Sequence, residues 1–82
     1  MKLQVGQKVR INETFEHGKY DKLIGKIGVY IRKAGGADAL YPYRVSFPDL
    51  SKEEGYPATS NEGVSYIFME SELDIVNDKE LI

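Results

Sequence analysis

Hydrophobic residues recur at every second position in several short stretches of this 82-residue chain, the period of a half-buried β-strand. The clearest run is Leu23-Ile-Gly-Lys-Ile-Gly-Val-Tyr-Ile-Arg-Lys33, where Ile27, Val29 and Ile31 fall on one side and Lys26, Tyr30 and Arg32 on the other. This alternation predicts that the three aliphatics face a core while the lysine, tyrosine and arginine face solvent. Gly25 and Gly28 punctuate the run, as a chain needs where it bends sharply at the corner of a small barrel.

The same reading places four more strands. Val9 and Ile11 alternate with Lys8 and Arg10, predicting a first strand from Gln7 to Asn12. Residues Glu13 to Ile24 carry no helical apolar stripe, so they are expected to form a long first loop, the kind of segment that often carries function. After the flexible Ala34-Gly-Gly-Ala-Asp38, a third strand runs from Tyr41 to Phe47, with Tyr41, Tyr43, Val45 and Phe47 on one face. Pro42 has no amide hydrogen to donate and belongs at the strand start or on an edge. Asp49 to Glu62 is polar and reads as a long mobile loop between strands three and four or as an extended hairpin tip. Gly63 to Glu70 forms the fourth strand; Val64, Tyr66 and Phe68 compete with Ile67 and Met69 for its buried face. Ser71-Glu-Leu73 reads as a tight turn that Ser71 can cap, followed by a short last strand from Leu73 to Val76 and a tail from Asn77 to Ile82. Five short strands, glycine-rich corners and no convincing helix predict an all-β barrel, one domain over residues 1–76.

Size and composition narrow the class. A chain this short buries only about 60% of the surface that it exposes when unfolded, and with no cysteine it has no disulfide or thiolate metal site to add stability. The absence of cysteine fits a reducing cytoplasm. The residues after Met1-Lys2 lack the apolar core of a signal peptide, and no stretch approaches the run of about 20 apolar residues that a membrane helix needs. A cytoplasmic protein without a membrane partner is therefore expected. Charge is distributed unevenly. Up to Gly36 there are eight basic and three acidic residues, and from Ala37 onward three basic and ten acidic. Either the fold interleaves the two halves and mixes the signs, or the first two strands and their loop present a basic face.

Catalytic sets are missing. The single histidine, His17, sits beside a turn glycine, no cysteine or Gly-x-Ser-x-Gly elbow is present, and the glycine pairs are not followed by the Lys-Ser/Thr of a phosphate loop. A non-enzymatic chain without a cofactor or metal is expected. Nine aromatic residues include six tyrosines. With Val45, Phe47, Phe68 and the aliphatics of the second strand filling a core, Tyr20, Tyr30, Tyr41 and Tyr56 remain for the surface. An outward Tyr30 between Lys26, Arg32 and Lys33, with Tyr41 and Arg44 near it, would suit base stacking. Tyr30, Arg32 and Arg44 could also hold a small nucleotide-like ligand. Tyrosines equally pack their rings at barrel rims with the hydroxyl in water. Phe15 and Tyr20, in the long first loop, are candidate contacts for a protein partner.

Several of these residues match a known pattern. Val5-Gly-x-x-Val9-x-Ile11, then Leu23-x-Gly25-x-x-Gly28 opening the second strand, Tyr43-x-Val45-x-Phe47, and Glu72-Leu73-x-x-Val76 at the end resemble small SH3-like barrels of the KOW and Tudor-like kind. The resemblance spans Val5 to Val76 and extends to short SH3-like proteins of bacteriophages. It implies a five-stranded SH3-like barrel and a binding module. In one version this is a protein-interaction factor of phage type acting on host machinery in the host cytoplasm. In the other it is a KOW-like nucleic-acid-binding domain that uses Lys26, Arg32 and Lys33 on RNA, ribosomes or RNA polymerase. Ala39-Leu-Tyr-Pro-Tyr43 is similar to the Ala-Leu-Tyr-Asp-Tyr run of signalling SH3 domains, but it opens the third strand instead of preceding the first loop. The tryptophan with which those domains clamp polyproline is absent.

Overall fold

The computed structural model describes residues 3–16 and 18–77. His17 and residues 78–82, most of the expected tail, lie outside them. Six strands form one antiparallel sheet: β1 (Lys8–Ile11), β2 (Ile27–Lys33), β3 (Tyr43–Ser46), β4 (Ala58–Thr59), β5 (Gly63–Phe68) and β6 (Leu73–Ile75). Their order across the sheet is β4-β5-β3-β2-β1-β6. The all-β expectation therefore holds, with six strands in place of five. The added one is a two-residue edge strand inside the polar loop between β3 and β5. The hydrogen-bonded order starts at β4 and ends at β6, so the sheet is not closed.

The first loop is not devoid of structure. Gly18–Leu23 forms a 3-10 helix that buries Leu23, and Phe15 ahead of it is 1% exposed. Asn12 anchors the start of this connection. Its Oδ1 accepts from the Thr14 backbone N–H at 2.9 Å, and its Nδ2 donates to the Ser71 carbonyl at 2.8 Å. A second 3-10 helix, Lys52–Glu54, is capped by the Ser51 hydroxyl and ended by Gly55 in the left-handed region at φ +89°. The tight turn before β6 is a third, Glu70–Glu72. It is not capped by Ser71. The Glu72 carboxylate reaches back to accept from the Met69 N–H at 2.8 Å, one half of a capping box.

One apolar cluster underlies the sheet. Val9 and Ile11 of β1, Phe15 and Leu23 of the connection, Val45 and Phe47, Val64 and Phe68, and Leu73 are all buried in it. Phe68 lies at its centre, with ring centroids 5.2 Å from Phe15 and 6.1 Å from Phe47. On β5 the competition resolves in favour of Val64, Tyr66 and Phe68. Ser65 on the opposite face is buried beneath Arg44, to which it is hydrogen bonded.

The phase of β2 is the reverse of the one its aliphatics suggest. Gly28 pairs with Val9, and Tyr30 with Val45, so Gly28 and Tyr30 face inward. Tyr30 is 8% exposed and packs edge-on against Tyr43 at 5.5 Å, while Ile27 lies among the exposed apolar residues and Val29 and Ile31 are half-buried. The inward face passes so close to β3 that a Cβ on Gly28 would lie 2.5 Å from Val45 Cγ1 and 2.7 Å from the Ser46 carbonyl oxygen. Only a glycine fits that position, and its neighbours Ile27 and Val29 are turned outward as a result. Between Tyr30 and Arg32 the register shifts through a β-bulge. The extra residue switches the alternation, so Arg32 faces away from the core although Tyr30, two positions earlier, faces into it.

Candidate functional site

The outward face of β2, β3 and β5 brings two arginines onto one carboxylate. The bulge places Arg32 opposite Arg44 of β3, and cross-strand partners hold their side chains side by side. Glu62, in the turn just before β5, lies over both. Arg32 Nε donates to Glu62 Oε2 at 2.9 Å and Nη2 donates to Oε1 at 3.2 Å, a forked pair. Arg44 Nη1 donates to the Ser65 hydroxyl at 2.8 Å. Its Nε sits 3.6 Å from Glu62 Oε1, is buried, and finds no hydrogen-bond acceptor. Hydrogen bonding from Arg32 holds the Glu62 carboxyl below the usual carboxylate range, with the charges of Arg32 and Arg44 acting in the same direction against desolvation. The same bond raises the Arg32 guanidinium further above its already high value.

A second cluster forms where the first connection meets β5. Tyr20 and Tyr66 pack ring against ring at 5.1 Å, and Phe15 meets Tyr66 edge-on from below at 6.1 Å. Both tyrosines are half-buried. The Lys19 ammonium lies 5.1 Å from the centroid of the Tyr20 ring. Burial pushes the Tyr66 phenol up, Tyr20, Tyr41 and Glu72 add to the rise, and Lys19 opposes it. Tyr41, from the end of the β2–β3 loop, is near enough to Tyr66 for its charge to contribute to that rise. Beside it Leu40 is 72% exposed.

No protein-family model matches the chain, and no curated protein matches its sequence. The functional reading therefore rests on the two clusters themselves.

Set against them, the patch predicted from the sequence is dispersed. Tyr30 is in the core and cannot offer a ring face for stacking. Lys26 is exposed ahead of β2, six residues before Arg32, which puts it roughly 20 Å away along an extended chain. Lys33 is exposed at the far end of β2, opposite Tyr43. Of the six residues Lys26, Tyr30, Arg32, Lys33, Tyr41 and Arg44, the structure brings together only Arg32 and Arg44. Of the loop pair, Phe15 is a core residue and Tyr20 is the surface partner of Tyr66. Sequence reasoning missed Glu62 and Tyr66 as members of the two clusters. Nothing local marks Glu62, which is joined to the arginines only by the strand order, whereas Tyr66 stands in the one strand whose inward face was ambiguous. Among the described residues no group of three or more Asp, Glu or His side chains is arranged to hold a metal ion, and no helix is long and apolar enough to cross a membrane.

Proposed function

We propose that the chain is a non-enzymatic protein-interaction module of SH3-like type, and that it docks its partner on the tyrosine cluster of Tyr20, Tyr41 and Tyr66. The SH3-like reading is supported by the path of the chain: a long connection between β1 and β2, a meander through β2, β3 and β5, a 3-10 turn between β5 and β6, and a last strand that returns to pair with β1. The observation that carries the functional reading is the Tyr20–Tyr66 pair itself. Two large rings meet at the surface, tilted by 59° to one another, over a core that is already filled beneath them by Phe15 and Phe68. Tyrosines in this setting give broad apolar contact and hydroxyl hydrogen bonding at little entropic cost, the profile of binding-surface anchors. Leu40, next in the chain to Tyr41, is exposed and adds an apolar side chain, and Lys19 supplies charge at the margin of the Tyr20 ring. A partner with an extended segment of apolar and charged side chains suits this surface.

The test is selection of peptides from a random displayed library, followed by mapping of a selected peptide through amide chemical shifts. The expected perturbations centre on Tyr20, Tyr41 and Tyr66. Perturbations confined to Arg32, Arg44 and the outward face of β2 would overturn the tyrosine cluster as the docking site, and selection of no peptide by a protein that retards RNA at low salt would displace the protein-interaction reading in favour of nucleic acid.

A further inference from the structure

Arg32, Arg44 and Glu62 leave one positive charge over and one buried donor unmet. The Arg32 fork engages both oxygens of the Glu62 carboxylate, and although each oxygen has a second lone pair to offer, neither reaches Arg44 Nε within hydrogen-bonding distance. Arg44 Nε–H is left facing Oε1 at 3.6 Å, beyond hydrogen-bonding distance, although it is shielded from solvent. A guanidinium N–H buried without an acceptor is costly. The rest of the Arg44 side chain is fixed by the Ser65 hydroxyl, itself buried, so the donor is held in place facing the carboxylate. An anion with three acceptor oxygens could serve the Arg32 fork with two and the Arg44 Nε with the third. Glu62 is able to vacate the position. Its side chain is 20% exposed, and it stands in a surface turn whose neighbours Ser60 and Asn61 are exposed, next to Gly63 in the left-handed region at φ +64°.

We propose that Arg32 and Arg44 form a binding site for a phosphate group, and that Glu62 is a built-in carboxylate that occupies the site until a phosphate displaces it. The positions are preorganised by the sheet: the bulge in β2 turns Arg32 outward opposite Arg44, and Ser65 on the adjacent strand orients Arg44. The half-buried Ile67 pairs with Arg44 across the β3–β5 ladder and so stands beside it on the same face.

The probe is inorganic phosphate, titrated at neutral pH into the full chain, with chloride at matched ionic strength as the control and the arginine Nε–H signals as the readout. In the wild type, phosphate should shift the signals of both Arg32 and Arg44 while chloride does not. Glu62→Gln should tighten phosphate about tenfold, because the competing internal charge is removed. In that background Arg44→Lys, which keeps the charge but loses Nε, should abolish the gain. Parallel titrations with O-phosphoserine and with a nucleoside monophosphate distinguish the source: whichever binds tighter than the free ion names the carrier, and equal affinities name the free ion. Signals that move no more with phosphate than with chloride in the wild type would overturn the site, as would tightening in Glu62→Gln that survives Arg44→Lys. Should Glu62→Gln fail to fold by circular dichroism, the comparison of wild type with Arg44→Lys alone decides.

Discussion

Gly28 and Val45 approach so closely across the β2–β3 ladder that a methyl group on the glycine would sit 2.5 Å from the valine Cγ1. The contact cannot be relieved by the valine alone, since the Ser46 carbonyl oxygen at 2.7 Å and Phe47 Cε1 at 2.8 Å close the same space. Gly28→Ala therefore overpacks a position where backbone must move, and a loss of about 1–3 kcal/mol is expected in denaturant unfolding. Val45→Ala should not rescue it, because the carbonyl remains. A neutral Gly28→Ala would mean that β2 lies farther from β3 than described.

Phe15 and Tyr20 belong to one connection but should behave differently. Phe15 is packed against Phe68 inside the core, so Phe15→Ala is expected to cost about 3–5 kcal/mol, and Phe15→Leu offers a milder variant where the alanine form does not fold. Tyr20 lies on the surface of the same cluster, and Tyr20→Ala should cost less than half as much. Equal losses in thermal melts would place Tyr20 in the core as well and weaken its assignment as a docking residue.

These two cases show what the sequence could and could not convey. Alternation located β2 and β3 correctly because period-two patterning follows from strand geometry alone. It misjudged which side of β2 is inward, since a glycine contributes nothing to a hydrophobic pattern even where close packing requires it. The bulge after Tyr30 then reversed the pattern within one strand, which separated Tyr30 from Arg32. Phe15 looked available because it lies in a loop, and its burial depends on Phe68, 53 residues further along the chain. The Arg32–Glu62–Arg44 group depends likewise on strand order, a long-range property that a single local motif does not encode.

Acid should weaken the fold partly through Glu62. Its carboxyl is held below the ordinary value of about 4.3 by the hydrogen bonds from Arg32. A group depressed in the folded state contributes stability that is present above its unfolded value and is lost as pH falls through its folded one. The melting temperature of the wild type should therefore exceed that of Glu62→Gln at neutral pH, and the two should converge as pH drops below about 4. A constant difference down to the lowest accessible pH would show that the carboxylate charge is not what Arg32 recognises.

Lys22 ties the first connection to the polar loop before β4. Its ammonium sits 4.5 Å from the centroid of the Tyr56 ring and donates to the Glu54 carbonyl at the end of the 3-10 helix Lys52–Glu54, where the partial negative charge of exposed carbonyls favours a cation. Lys22→Met should cost about 0.5–1 kcal/mol, the scale of an exposed cation–π contact. Gly55, one residue further on, is constrained twice: its φ of +89° disfavours a side chain, and a Cβ there would lie 2.7 Å from Lys22 Nζ. The first penalty belongs to the backbone and stays whatever residue 22 is. The second is met by moving a flexible side chain, which gives up the Tyr56 contact. Gly55→Ala should thus cost about 1 kcal/mol or more in the wild type and measurably less in Lys22→Met, where no ammonium remains to be displaced. A double-mutant cycle by denaturant unfolding checks this, with the two losses expected to sum to more than that of the double variant. Strict additivity would show that the backbone penalty alone accounts for the glycine, and that Lys22 passes the loop without holding it.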